Sequence, residues 1–317
     1  MLIQQFEQRL YEGQFLQKEE VMRLLSVDLH QLKEASHRIR AYFCGNQFDL
    51  CAIINGKSGC CSENCAFCAQ SAHHHAMADE YALREKAVIV KDALHHDNMG
   101  VHRYAIVTSG RSLSNSDVDR VCDYNLEMKQ QTGLQLCASH GLLTKKQLQR
   151  LKQSGVTRYH NNLETSRTYF PHICTTHTYD DKIQTILDAQ DIGLEVCSGG
   201  IIGMGEDMED RIDLALTLRE LQIHSVPVNI LNPIAGTPLM KQEPLSKEEI
   251  ERTICIFRFI LPDALIRLAG GRGLLDDGGK SLFACGANAA ITGDMLTTQG
   301  ISVASDQQLL RSLGYML

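Results

Sequence analysis

Apolar and polar positions along the chain change their period once, near residue 45. Over residues 3–41 the apolar positions recur at helical spacing, which predicts two or three helices. Within "SVDLHQLKEASHRIRAYF", Leu29, Leu32, Ala35 and Ile39 share a face behind a Ser26/Asp28 start signal. Beyond that point short β-rich runs recur, each followed by a loop and then a helical pattern. There are eight: "FDLCAIIN" (48–55), "RYAIVTSG" (103–110), "LQLCAS" (134–139), "RYHNNLE" (158–164), "LEVCSGGI" (194–201), "SVPVNIL" (225–231), "ALIRLAGG" (264–271) and "NAAITGDML" (288–296). The helices between them carry their own signals. "LLTKKQLQRLKQSG" has a Thr144-to-Gln147 capping box, Leu148 and Leu151 on one face and Gly155 as a stop. "YDDKIQTILDAQDIG" groups Ile183, Ile186 and Leu187, and "EDMEDRIDLALTLRELQI" groups Leu214, Leu218 and Leu221. Eight such units predict an α/β chain folded as a (β/α)8 TIM-type barrel over residues 45–317, preceded by an N-terminal helical extension over 1–44. In that fold the chemistry sits on loops at the C-terminal ends of the strands.

Composition narrows the picture. Across 317 residues, 44% are hydrophobic and 22% charged, as in ordinary globular proteins. The net charge of −7 and the lack of a basic block argue against nucleic-acid or membrane-surface partners. The most apolar stretch, "TICIFRFILPDALIRLAGG", is interrupted by Arg258, Pro262 and Arg267, so no membrane span is expected. The polar, amphipathic N-terminus is unlike a signal peptide, and the expected location is the cytoplasm. There disulfides rarely persist, so clustered members of the twelve cysteines are read as metal ligands or catalytic thiols. Cys122, isolated on a helical stretch, is read as a small apolar residue.

The cluster is "GCCSENCAFCAQSAHHH", just after the first predicted strand. Cys61, Cys65 and Cys68 have the spacing C-x3-C-x2-C. Three thiolates so placed can grip a structural zinc with a histidine from His73–His75, or three irons of a cluster. Zinc knuckles normally come in separated pairs, and no second one exists here, which favours iron–sulfur. Cys60 is expected to be a partly exposed non-ligand, and His73–His75 a polar helix start.

Three more cysteines lie inside predicted strands: Cys51 on the first, Cys137 on the third and Cys197 on the fifth, while the seventh carries Arg267. Alternate strands of an eight-stranded barrel share interior layers. These four side chains therefore converge in the lumen if each strand has the right register; a slip of one residue turns its side chain outward. A buried Arg267 calls for anionic company, which a thiolate-bound cluster supplies.

The loop resembles the radical S-adenosylmethionine superfamily, including Phe67 just before the third cysteine. From about residue 40 onward the chain resembles the biotin synthase family within it. The resemblance is carried by "NGKSGCCSENCAFCAQS", "YHNNLETS", "TTHTYDDK", "EVCSGGIIGMGE", "VPVNILNPIAGTPL", "IRLAGGR" and "GANAAITGDMLTT" in that order. It implies an enzyme that inserts sulfur into dethiobiotin. Cys61, Cys65 and Cys68 would hold a 4Fe–4S cluster whose electron cleaves S-adenosylmethionine, the resulting 5′-deoxyadenosyl radical takes hydrogen from dethiobiotin, and an auxiliary cluster supplies the sulfur. It further implies a reducing donor such as flavodoxin or ferredoxin, and a homodimer. Phe67, Asn162, Glu164, Lys182 and Ile201 would bind S-adenosylmethionine: Asn162 and Glu164 suit its ribose, Ile201 its adenine, and Lys182, a cation where the helix dipole disfavours one, its carboxylate. Asn162 and Asn229 would bind dethiobiotin.

One departure stands out. The family's familiar form places its auxiliary cysteines on strands two, three and five around a 2Fe–2S centre, with an arginine on strand seven. Here the strand-two position is Ala105 and the extra cysteine is Cys51. A 2Fe–2S centre takes four protein ligands, whereas three thiolates suit a cubane with one open iron. The expected auxiliary centre is therefore of 4Fe–4S type on Cys51, Cys137 and Cys197, with an extra sulfide on the open iron and Arg267 as neighbour. The alternatives are another radical enzyme of this barrel type, a maturase or mutase, and a non-catalytic iron–sulfur or zinc scaffold.

Overall fold

Every predicted β-rich run becomes a strand, and all pair in parallel. The structure, a computed structural model, describes residues 2–317. The strands are β1 (Asp49–Lys57), β2 (Arg103–Thr108), β3 (Gln135–Ser139), β4 (Val156–His160), β5 (Glu195–Cys197), β6 (Gly200–Ile202), β7 (Ser225–Ile230), β8 (Leu265–Leu268) and β9 (Ala289–Thr292). Their order is β5-β4-β3-β2-β1-β9-β8-β7-β6, and a β5–β7 pairing closes the ring. The fifth predicted strand is thus one stave in two segments, β5 and β6, which makes a closed eight-stranded (β/α)8 barrel. The break has a local cause. Cys197 pairs with Ser225 and Gly200 with Val228, so the gap lies against Pro227, which has no N–H for the ladder. Any Cβ at Gly199 would collide with the Pro227 carbonyl, and glycine is needed there for the close approach.

The strands end earlier than the apolar pattern predicts wherever the chain bends into a cavity-lining loop. β4 stops at His160, since Glu164 lies in the left-handed region with φ of 75°. β9 stops at Thr292, before Gly293 with φ of 78°.

Three helices precede the barrel: α1 (Leu2–Tyr11), α2 (Lys18–Arg23) and α3 (Leu29–Cys44), the last capped by Asp28, which accepts from Gln31 N at 3.1 Å. The barrel helices are α4 (Lys86–Asn98), α5 (Asn115–Gln131), α6 (Lys145–Gln153), α7 (Tyr179–Asp191), α8 (Met208–Glu220) and α9 (Lys247–Ile260), followed by α10 (Lys280–Ala284) and α11 (Val303–Ser312). The Thr144 capping box of α6 is formed as the sequence predicts, and Thr178 and Asp207 build the same device on α7 and α8. Helix α3 is fixed to α9 by Lys33–Glu251 at 2.9 Å. At the N-terminal end of the barrel Phe48 packs edge-on against Phe283 and Tyr315 at centroid distances of 5.2 and 5.0 Å, closing the floor. No helix among the described residues is long and apolar enough to cross a membrane.

Candidate active site

The cysteine loop leaves β1 through Gly59 and Cys60, both at positive φ (79° and 49°). It then folds back on itself: Cys61 N donates to Gln70 O at 3.0 Å, Ala72 N to Cys61 O at 2.8 Å, and Cys68 N to Cys65 O at 3.0 Å. Cys61, Cys65 and Cys68 are free thiols; the Cys174 thiol and burial push Cys65 up, with Cys68 adding to it. Burial pushes Cys68 up to about 11, so gripping iron means releasing protons. A donor set of three adjacent unpaired thiols on a rigid loop fits a cluster held by three irons.

The histidine run does not start a helix, contrary to the expectation from its polarity. His73 Nε2 meets Ser62 O at 2.9 Å and His74 Nε2 meets Cys65 O at 3.0 Å, so these rings brace the loop backbone. A second brace is non-local. Ala66 N donates to Ile173 O at 2.8 Å, and buried Glu63 accepts from His177 Nδ1 at 2.6 Å and Thr176 Oγ1 at 2.9 Å. Cys174 Sγ stands 3.7 Å from Cys65 Sγ, and Cys65, Cys174 and His177 hold ligand atoms within 4.8 Å of one another. Cys60 is exposed and bonds Glu80 at 3.2 Å, while Cys44 packs against Arg258 at 3.5 Å, away from the lumen. Cys285 is buried beside Cys255.

In the lumen, register decides which side chains meet. Cys51 pairs with Arg103 and Ile291, Cys137 with Ala105 and Arg158, Cys197 with His160 and Ser225, and Arg267 with Pro227 and Ala289. Paired residues in a parallel ladder point to the same face, and alternate strands share a layer. Cys51, Cys137, Cys197 and Arg267 therefore form one layer. Arg103, Arg158, Ser225 and Ala289 form the layer beneath it, and Ala105, His160, Pro227 and Ile291 the layer above. All three thiols and Arg267 are buried.

Beneath the thiols is a cationic floor organised by Asp49. Its carboxylate binds Arg103 Nε at 3.0 Å and Arg267 Nη2 at 3.1 Å, with Arg158 Nη1 at 3.9 Å. Arg158 also donates to Glu195 at 2.9 Å through Nε. Burial works to raise the Asp49 carboxyl, but Arg267, Arg103 and Arg158 outweigh it and hold it below the usual carboxylate range. Arg103 Nη1 is buried without a partner. Three guanidiniums against two carboxylates leave positive charge under the thiols, which suits an anionic cluster. Burial raises Cys137 to about 11. Cys197 is the exception: although buried, it is held near 7 by the His160 imidazole, Arg267 and Ser225.

A single cavity of about 370 Å³ runs from the loop to the thiol layer. That is within the range of small-molecule sites. Cys68, Phe67, Asn162, Glu164, Ile201 and Asn229 line its mouth, and Cys51, Cys137, Cys197 and Arg267 its base. Cys61, Cys65 and Lys182 do not line it. Asn162 Oδ1 accepts from Gly199 N at 3.1 Å and its Nδ2 donates to Glu164 at 3.2 Å, while Asn229 bridges Gly270 N (2.9 Å) and Gly200 O (3.0 Å). Each amide still has one donor and one acceptor site to offer. Lys182 is buried behind Glu164, 3.4 Å from Asn161 Oδ1 and 3.9 Å from Glu164 Oε1, and is not a solvated surface lysine.

The radical SAM superfamily pattern matches residues 57–218, and the biotin and thiamin synthesis associated domain matches 227–316. A biotin synthase of Clostridium botulinum is 56% identical over 310 residues, 98% of each chain. Those of Alkaliphilus metalliredigens and Brachyspira hyodysenteriae are both 51% identical, covering 100% and 99% of this chain and 100% and 95% of theirs. The chain belongs to the biotin synthase family. Among solved structures, methylornithine synthase superposes with a TM-score of 0.85 at 21% identity over 98% of this chain and 96% of its own. The FeFe-hydrogenase maturase from Carboxydothermus hydrogenoformans gives 0.81 at 17% identity over 99% of this chain and 78% of its own. Those two likenesses speak for the barrel alone.

For a member of the biotin synthase family, the sequence pattern leaves out Asp49, Arg103, Arg158 and His160. The signal was present as two-residue alternation, Asp49 with Cys51 in "FDLC", Arg103 with Ala105 in "RYA" and Arg158 with His160 in "RYH". It becomes usable only once the register of each strand is known.

Proposed function

We infer that this chain converts dethiobiotin to biotin by radical S-adenosylmethionine chemistry, with sulfur drawn from an auxiliary iron–sulfur cluster. The carrying observation is that one cavity joins the C-x3-C-x2-C loop to a second set of three thiols across the barrel. When bound, the loop cluster supplies the electron that cleaves S-adenosylmethionine to a hydrogen-abstracting radical, and the auxiliary cluster supplies sulfur. The chain's own work is to hold both ends of the cavity in register and to exclude water from the space between. Cys61, Cys65 and Cys68 grip the first cluster. Phe67 and Ile201 offer apolar walls to S-adenosylmethionine, and Asn162 and Glu164 offer polar groups to its ribose. Lys182 neutralises charge behind Glu164 and beside Cys65. Asn162 and Asn229 present amide edges to the ureido ring of dethiobiotin.

The auxiliary centre is read as 4Fe–4S in type, with Cys51, Cys137 and Cys197 as ligands. Arg267 is a neighbour to it, because its guanidinium already donates to Asp49 O at 3.0 Å, Ala290 O at 3.2 Å and Asp49 Oδ1 at 3.1 Å. Despite burial, Asp49 and the thiols push its pKa further up, so it stays a cation, and a protonated guanidinium has no lone pair for iron. Iron and sulfide counts on the anaerobically reconstituted Cys61/Cys65/Cys68→Ala variant test this. About four irons per chain are expected; about two, or none, would overturn it.

Gly200 gives a test of the Glu164 assignment. Ile201 N donates to Glu164 O at 2.8 Å, and a Cβ at Gly200 would collide with that carbonyl. G200A is expected to raise KM for S-adenosylmethionine about tenfold, or ~1.4 kcal/mol, read from 5′-deoxyadenosine release. An unchanged KM would detach Glu164 from the cofactor. The same assay without dethiobiotin separates an enzyme from an inert scaffold, which releases no 5′-deoxyadenosine, and dethiobiotin-dependent biotin formation separates this chemistry from that of maturases and mutases. We place the chain in the cytoplasm as a homodimer reduced by a flavodoxin- or ferredoxin-type donor, with residues 1–44 as an extension of the barrel domain.

A further inference from the structure

The layer directly above the thiols contains Ala105, His160, Pro227 and Ile291, all lining the cavity. Three of these are apolar. His160 is the one polar side chain standing between the thiol layer and the substrate space, and a half-buried imidazole there needs a partner. The side chain that register sets beside it is that of Cys197, its mate across the β4–β5 ladder. Cys197 accepts a side-chain bond from below, from Ser225 Oγ at 3.3 Å. The other two thiols lack this treatment. Cys51 Sγ meets a backbone carbonyl, Ala52 O, at 3.6 Å, and Cys137 is influenced by Arg158 and Arg103 through charge. The three-thiol set is therefore asymmetric, with one sulfur singled out by a hydroxyl donor beneath it and an imidazole as its register mate.

We propose that His160 tunes the auxiliary cluster from its substrate-facing side, its ring N–H donating to the Cys197 thiolate. This rests on the assignment of that cluster to Cys51, Cys137 and Cys197. An N–H···S bond stabilises the more negative, reduced form of a cluster and raises its reduction potential. His160 is thus a positioning and tuning residue. It marks the Cys197 corner of the centre as electronically distinct from the Cys51 and Cys137 corners, in a ring that is otherwise apolar.

The test uses the Cys61/Cys65/Cys68→Ala background, in which the auxiliary cluster is the sole centre. The midpoint potential is read by anaerobic redox titration followed by electron paramagnetic resonance, with iron and sulfide counted in parallel. H160F removes the donor; H160N and H160Q place an amide N–H at about the reach of Nδ1 and Nε2. The expected result is a negative shift of the midpoint in H160F at unchanged iron content, largely reversed in H160N or H160Q. A midpoint unmoved by H160F overturns the inference while leaving the cluster assignment standing. Loss of iron from all three variants also overturns it, because an amide donor of similar reach should keep a cluster held by thiolates. Absence of any centre in the parent background removes the cluster assignment itself, and the inference with it.

Discussion

Cys137→Ala is expected to end biotin formation while leaving S-adenosylmethionine cleavage running. Cys137 lies in the layer with Cys51, Cys197 and Arg267, at the far end of the cavity from the cysteine loop. In the centre proposed for this layer, its removal takes one of three thiolates and leaves no spare thiol to replace it. Outer-shell changes at metal sites cost about 10–100-fold, and loss of a ligand should exceed that. Biotin yield is therefore expected to fall more than about 100-fold, with about four irons lost per chain. The release of 5′-deoxyadenosine depends on the other end of the cavity and should persist. The same split is expected for C51A, which most directly tests the departure at Ala105. Exposed Cys60 is the control: C60S should change neither product. If C137A instead abolished 5′-deoxyadenosine release and biotin alike, the two thiol sets would not be separate centres. If it abolished neither, the lumen thiols would be packing residues.

The barrel was legible because local signals agreed with the global answer. β-branched runs alternated with capped helices, and Thr144 closes its box in the structure as its spacing requires. The cysteine loop was legible for a different reason: its chemistry lies in spacing, which sequence preserves. Features set by partners far along the chain were hidden. The histidine run read as a helix start because nothing local shows that His73 and His74 bond the carbonyls of Ser62 and Cys65. The brace from Glu63 to His177 spans more than a hundred residues. Register was the deepest limit. "RYHNNLE" contains both Arg158, facing the cationic floor, and His160, facing the ring above the thiols, yet a one-residue slip would have sent both outward. Pro227 was visible, but its effect falls on the neighbouring stave, which it splits into β5 and β6.

The charge under the thiols leads to the second large effect. Asp49→Asn keeps the shape of the side chain and one acceptor but removes the single carboxylate that Arg103, Arg267 and Arg158 share. Glu195 is 58% exposed and reaches only Arg103 and Arg158, so Arg267 is left with no carboxylate. Breaking a buried pair from one side costs about 3–5 kcal/mol, mostly for the uncompensated charge left behind. The cluster-free D49N chain should lose about that much in anaerobic denaturant titration. The loaded protein should lose less, because thiolates bound to an anionic cluster give the guanidiniums the counter-charge that Asp49 no longer provides. By linkage, a variant destabilised mainly in its empty form binds the missing group with a larger stabilising increment. Loading iron and sulfide should therefore raise the melting temperature of D49N by more than that of the parent. Equal losses in the empty and loaded forms would mean that the arginine floor serves the packing of the barrel and gives no electrostatic support to the centre above it.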